Sequence, residues 1–257
     1  MVAVTVESLD RLVSIARAAG AAVLEGYGGA AGPADLKADG SPVTAADRAA
    51  HRVIVAELER FAPGVPVISE EGEIPDAADR ASWATFWLVD PLDGTKEFIA
   101  RNGEFTVNIA LVAGGEPVLG VVHAPALGLT YAAGKGLGAW KEGPDPGGAR
   151  LRIHSEPPSP GKPLTVVESR SHPSAELEAY LRTVPVGRRV RIGSSLKLCL
   201  VAEGAADIYP RLGPTMAWDV AAGDCIYRCS GRTGERRSPI RYDTRGLRNE
   251  GFVLGAE

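Results

Sequence analysis

Two carboxylates three residues apart, Asp90 and Asp93, stand in Asp90-Pro91-Leu92-Asp93-Gly94-Thr95, directly after the apolar run Phe86-Trp87-Leu88-Val89. The run reads as a buried strand, and the block punctuated by Pro and Gly as the turn that ends it. Strand-end loops are where rigid scaffolds place chemistry. Two further acidic sites echo the pattern: Glu70-Glu71 after Val65-Pro66-Val67-Ile68-Ser69, and Asp219 in Trp218-Asp219-Val220-Ala221-Ala222-Gly223. If Glu70, Asp90, Asp93 and Asp219 converge, they repel one another. Two carboxylates about 4 Å apart at an effective dielectric near 20 cost roughly 4 kcal/mol. Such a cluster needs protons or cations to hold it. All-oxygen donors without His or Cys favour a hard ion, Mg²⁺ or Mn²⁺, over Zn²⁺.

Each of the remaining candidates has a plain structural reading beside the chemical one. Thr44 and Asp47 in Ser41-Pro42-Val43-Thr44-Ala45-Ala46-Asp47 resemble a capping box; alternatively Asp47 faces the acidic cluster and orients a metal-bound water. Thr95 caps a short helix over Lys96-Glu97-Phe98-Ile99, or presents its hydroxyl to an attacking water, or both. That helix start also offers N–H groups to a phosphate. Asp219 is the N-cap of a small-residue helix or a ligand to a second cation. Together these parts compose a two-metal phosphatase, in which one ion acidifies a bound water and both offset transition-state charge. The spacing of a Walker phosphate loop is absent.

The elements that must position these residues follow from periodicity. Residues 6–27 read as an amphipathic helix through Leu9, Leu12, Val13, Ala16 and Val23, and a second runs from about Thr44 to Phe61. Strands are expected at 65–69 and 86–90. From Phe105 to Lys141 short β-rich runs alternate with Gly and Pro turns, an antiparallel meander. Gly143-Pro144-Asp145-Pro146-Gly147-Gly148 is the expected boundary, dividing an α+β part (1–148) with most acidic sites from an α/β part (149–257) with Asp219. Beyond it strands at 164–167, 190–192 and 207–209 alternate with helices from about Pro173 to Leu181, through Leu196, Leu200 and Val201, and from Ala217.

A chain of 257 residues can bury a sizeable core. Its formal charge of −4 gives no reason to expect a nucleic-acid surface, although Arg188–Arg191 and the stretch from Arg232 to Arg248 are basic. They read as solvated surface or as local attraction for an anion. Three cysteines, Cys199, Cys225 and Cys229, argue against a disulfide scaffold and fit a reducing cytoplasm. Neither a signal peptide nor an apolar span of about 18 residues is visible. Peripheral membrane association and oligomeric state are left open.

Taken in order, the acidic blocks together with Lys96-Glu97-Phe98, Arg101-Asn102-Gly103-Glu104-Phe105-Thr106-Val107-Asn108, Ser169-Arg170-Ser171-His172 and Gly193-Ser194-Ser195-Leu196-Lys197 resemble the lithium-sensitive, magnesium-dependent inositol monophosphatase superfamily. The last stretches, with Lys96-Glu97-Phe98, resemble its bacterial bisphosphate nucleotidase branch. The resemblance implies a layered αβαβα, α+β fold with the site in the cleft between the two parts. It implies that Glu70, Asp90 and the Leu92 carbonyl hold one Mg²⁺, and that Asp90, Asp93 and Asp219 hold a second, with Mn²⁺ as a substitute. It implies that Asp47 and Thr95, with Glu70, handle the nucleophilic water and that Leu92, Asp93, Gly94 and Thr95 meet the scissile phosphate. Glu70, Asp219, His172, Gly193, Ser195 and Lys197 match positions near a small-molecule nucleotide bisphosphate substrate. Hydrolysis of adenosine 3′,5′-bisphosphate to AMP in sulfate assimilation is the implied reaction. An inositol or sugar-phosphate monophosphatase is the alternative. Arg170 and Arg211 are added on chemistry alone, because a second phosphate needs cationic partners. After Gly223 the chain departs from the family pattern: Asp224 to Gly231 contains Cys and Arg, and a basic tail follows.

Overall fold

Leu9, Leu12, Val13, Ile15, Ala16, Ala19 and Val23 recur at helical spacing, and all are buried on one stripe of helix α1 (Val6–Gly28). Helix α2 (Ala45–Phe61) buries Ala46, Ala50, Ile54 and Leu58 in the same way. The structure is a computed structural model that describes residues 2–28, 35–36, 42–144, 149–171, 174–231, 238–242 and 246–255. The polar turn read at Lys37–Ser41 and most of the basic tail lie outside those residues.

Both helices pack on one face of a seven-stranded sheet. Its strands are β1 (Val67–Ser69), β2 (Thr85–Asp93), β3 (Thr106–Ala113), β4 (Glu116–Ala124), β5 (Leu129–Gly134), β6 (Gly138–Glu142) and β7 (Leu151–Ile153), in that spatial order. The pair β1–β2 is parallel and every later pair antiparallel, the meander expected from the Gly and Pro spacing. Alternate residues divide between two cores. Trp87, Val89, Ile109, Leu111 and Val121 join α1 and α2; Phe86, Leu88, Ala110, Val112 and Val122 face the other way. A sheet covered on both faces explains why β2–β4 read as near-continuous apolar runs. Of the expected boundary at 143–148, residues 145–148 lie outside the described residues, and on its far side β7 still pairs with β6.

The strand expected to stop near Asp90 does not stop there. β2 continues through Pro91 and Leu92 to Asp93, and the short helix α3 (Thr95–Ile99) begins only after it. The turn reading gave too much weight to Pro91, because a strand accepts proline where its ladder is already interrupted.

The second half supplies the remaining layers. Strand β8 (Leu164–Ser169) leads to helix α4 (Ala175–Leu181), and β9 (Val186–Ile192) pairs parallel with β8 and leads to helix α5 (Leu196–Ala202). Helix α6 (Ala217–Cys229) follows a strand at Tyr209–Arg211, which pairs with Phe252–Leu254. The expected strand at 207–209 is thus shifted, leaving Ile208 only a single bridge to Val166. Helices α5 and α6 fill the second face of the large sheet. Val167 of β8 packs on them, whereas its neighbour Val166 packs with Leu177 and Leu181 of α4. The order is therefore helices, sheet, helices, strand pair, helix: the α+β, αβαβα layering that was expected. All three cysteines are free, with Cys199 and Cys225 buried and Cys229 half-buried.

Candidate active site

The register of β2 against β3 gathers the acids. Asp90 lies opposite Asn108 and Asp93 opposite Thr106, so three steps along β2 match two along β3. One extra residue is bulged out. In a regular strand, residues three apart point to opposite faces. The bulge cancels that alternation and turns both carboxylates toward one cavity. Pro91, which has no N–H to lose, sits at the interruption. The backbone N–H of Leu92 donates to Asp90 Oδ1 at 3.0 Å, tying the bulge to the carboxylate it exposes.

Two further elements bring the other acids. Glu70 follows the C-terminal end of β1, its N–H bonded to the Val89 carbonyl at 3.1 Å. Asp219 comes from the first turn of α6. It is not the N-cap that was one of its two readings. Met216 occupies the cap, and its N–H donates to Asp219 Oδ2 at 2.9 Å. Asp47 does close the expected capping box: Thr44 N and Thr44 Oγ1 donate to its Oδ2 at 2.7 and 2.6 Å. The other oxygen, Oδ1, faces the Thr95 hydroxyl at 3.5 Å, a long contact of the kind that tightens when substrate binds. Thr95 caps nothing. Gly94 is the N-cap of α3, and Thr95 is its first helical residue, which frees the hydroxyl to point at Asp47 and the Leu92 carbonyl.

A cavity of about 310 Å³ unites these groups. The first half of the chain contributes Glu70, Asp90, Leu92, Asp93, Gly94 and Thr95 to its lining, and the second half Ser169, Ser194, Ser195, Lys197, Tyr209, Arg211 and Asp219. Asp47 reaches it through Thr95. His172 lies outside the described residues. Gly193 is buried beside the cavity but is not in its wall, and its N–H is bonded to Glu104 Oε2 at 2.8 Å. Arg170 is also out of the wall; Glu104 holds its guanidinium through two bonds of 2.7 Å. Arg189 and Arg191, in the basic run, pair with Glu168 of the adjacent strand.

Electrostatics follow burial. Asp90 is 2% exposed. Burial pushes its carboxyl well above the usual range, and repulsion from Glu70, Asp93 and Asp219 adds to that. Burial raises Asp93 as well, against Lys197, Ser195 and Asn108, which pull it down. Asp219 is raised by burial and then by Asp93. Lys197 is lowered to about 8 by burial, with Asp93 holding it up. The site as it stands is short of positive charge. Among the described residues no three acidic, imidazole or thiol side chains enclose an ion by themselves. The donor set is all oxygen, the kind a hard divalent cation takes, and such a cation would offset the repulsion that adds to burial in lifting Asp90 and Asp219.

Spacing and motif assigned no role to Asn108, Thr106 or Ser194; Ser195, expected near the substrate, links Asn108 to the acids. Asn108 Nδ2 donates to Ser195 Oγ at 2.8 Å, and Ser195 Oγ stands 2.8 Å from Asp93 Oδ2 and 2.5 Å from the Asp219 carbonyl. Asn108 and Thr106 are fully buried polar residues in an apolar strand, and that is the sequence signal that marks them. Ser194 has φ +49°, a region few non-glycine residues occupy. Its carbonyl accepts from Lys197 Nζ at 2.5 Å and its hydroxyl bonds Thr106 Oγ1 at 3.1 Å, which fixes a strained turn at the cavity edge.

The chain resembles known proteins along nearly its whole length. The sequence pattern of the Inositol monophosphatase family matches residues 6–238. The 3′(2′),5′-bisphosphate nucleotidase CysQ of Escherichia coli K12 is 52% identical over 249 residues, which is 95% of this chain and 98% of that protein. Among solved structures, CysQ from Bacteroides thetaiotaomicron, described as a bacterial member of the inositol monophosphatase family, superposes with a TM-score of 0.80 at 40% identity, covering 96% of each chain. An inositol monophosphatase from Anabaena sp. PCC 7120 gives a TM-score of 0.67 at 27% identity, covering 87% of this chain and 80% of that one. With pattern, sequence and fold in agreement, the chain belongs to the inositol monophosphatase family.

Proposed function

We propose that this chain is a Mg²⁺-dependent 3′(2′),5′-bisphosphate nucleotidase that hydrolyses adenosine 3′,5′-bisphosphate to AMP and phosphate, the reaction that clears this by-product of sulfate assimilation. One observation carries the reading. Glu70, Asp90, Asp93 and Asp219 line one cavity together with Lys197 and Arg211, so a single molecule with two phosphates can meet both groups. The 52% identity to a nucleotidase supports the nucleotide over inositol phosphate.

Glu70, Asp90, the Leu92 carbonyl, Asp93 and Asp219 are the groups that would hold the metal. Bound there, Mg²⁺ would acidify a water and offset charge on the phosphoryl group and the leaving oxygen. The protein's own part is placement. Thr95 donates its hydroxyl proton toward Asp47, so an oxygen lone pair faces the cavity and accepts a proton from a water there. The capping box fixes Asp47 at the start of α2. Gly94 and Thr95 contact the scissile phosphate. Lys197 and Arg211 bind the second phosphate, with Ser195 and Ser169 beside them.

The test is a parallel assay with Mg²⁺ on adenosine 3′,5′-bisphosphate and inositol 1-phosphate. The expected result is a kcat/KM higher for the bisphosphate by about 10²-fold or more, in line with a site built to pair buried polar groups with its substrate. A preference for inositol phosphate would overturn the nucleotide assignment and leave the metal site in place.

A further inference from the structure

The proposed substrate must bridge two halves of the chain. Its reacting phosphate lies against β2 and α3, whereas the rest of it lies against the ends of β8 and β9. Ligands of open parallel sheets sit at such carboxyl ends. Two acids, Glu97 in α3 and Glu104 on the short segment between α3 and β3, reach across and grip those ends. Glu104 accepts two bonds from Arg170, at 2.7 Å each, and a third from the backbone N–H of Gly193 at 2.8 Å. Arg170 in turn donates to the Arg191 carbonyl at 2.9 Å. Glu97, which is buried and in the cavity wall, accepts from the Ser171 hydroxyl. The contact is close: a Cβ on Gly193 would lie 2.6 Å from Glu97 Cγ and 2.7 Å from the Glu104 carbonyl. Glycine is the residue that lets the two segments touch.

We propose that Glu104, gripping Arg170 and the Gly193 amide, is a positioning residue that sets the distance between the phosphate-reacting wall and the nucleoside wall, and so selects a nucleoside bisphosphate over smaller phosphate esters. The inference rests on the proposed nucleotidase reading. It also gives Arg170 a role different from direct phosphate binding: its charge is spent on Glu104. A bidentate pair with a third, backbone donor is more defined in geometry than an ordinary exposed ion pair. The Arg170 side chain is still 44% exposed, so its loss leaves the fold intact.

The experiment compares Glu104→Gln, Arg170→Met and the double variant, with adenosine 3′,5′-bisphosphate and inositol 1-phosphate as substrates. For the bisphosphate each single variant should raise KM about five- to tenfold with kcat within about twofold, and the double variant should be no worse than either single, because coupled partners are not additive. Turnover of inositol 1-phosphate should be unchanged. Losses that multiply in the double variant would make Arg170 a direct phosphate ligand and overturn the clasp. Equal losses on both substrates, or none on either, would overturn it too. A second readout needs no substrate: amide exchange at Gly193 and at 169–171 should speed up in Glu104→Gln while 90–95 stay protected. Unchanged exchange overturns the clasp. Wild-type protein that does not hydrolyse the bisphosphate overturns the nucleotidase reading instead, and the exchange result still decides the clasp.

Discussion

At the scale of the residue, the site is a set of groups kept at unfavourable protonation. Asp90 is the extreme case, buried and facing three other carboxylates. Replacing it with the neutral isostere Asn removes that repulsion and a metal donor together. Asp90→Asn should therefore lower kcat/KM by about 10³-fold or more. In EDTA it should also melt a few degrees above the wild type, since active-site strain is relieved at the cost of function. A Mg²⁺-dependent activity near that of the wild type would refute the ligand assignment, and a lower melting temperature in EDTA would refute the repulsion. The residue types and order of this cluster were legible in the sequence. Legible too was the double duty of Asp47, which both caps α2 and faces Thr95. The hydrogen bonds of Asn108 and Thr106 were not, because a polar residue in an apolar strand shows that a partner is needed and not which one.

At the scale of the element, the bulge in β2 and the packing of α6 carry the site. Asp219 is held where it is because α6 lies flat on β4, and that depends on Gly120. A Cβ there would stand 2.6 Å from Cys225 Cβ and 2.8 Å from the Ala222 carbonyl, both on α6. Gly120→Ala should push the helix off the sheet, costing about 1–3 kcal/mol as overpacking does. It should also weaken Mg²⁺ activation, because Asp219 moves with the helix. Urea unfolding and Mg²⁺ titration of activity measure the two effects; a variant of unchanged stability would show that the helix has room to yield. The meander and the two leading helices could be read from periodicity and from Gly and Pro spacing. The end of β2 could not. Proline and two acids argue locally for a turn, and only pairing with β3 shows that the strand continues past them.

At the scale of the whole molecule, stability responds to pH through a group far from the chemistry. His123 is buried between the sheet and α1, its Nδ1 3.0 Å from Thr130 Oγ1 and 3.1 Å from the Leu129 carbonyl. Burial pulls its pKa down to about 4, and Arg17 pulls the same way. An unfolded histidine titrates near 6.5. Between those values the unfolded chain holds a proton that the folded chain refuses, so stability falls as pH drops from about 6.5 toward 4, by up to about 3 kcal/mol. Urea unfolding at pH 7 and pH 5 should show that loss in wild type and a smaller one in His123→Gln; equal losses would assign the acid limb to other groups. The sequence alone determined the class of chemistry, the periodicity of nearly every element and the family, because donor types, apolar spacing and motif order are local properties of the chain. Tertiary structure alone decided that a one-residue slip turns Asp90 and Asp93 to one face, that Glu104 spans the two halves, and that Arg170 is paired with it. Register and cross-chain pairing depend on residues far apart in sequence, whose energies exist only once the layers have packed.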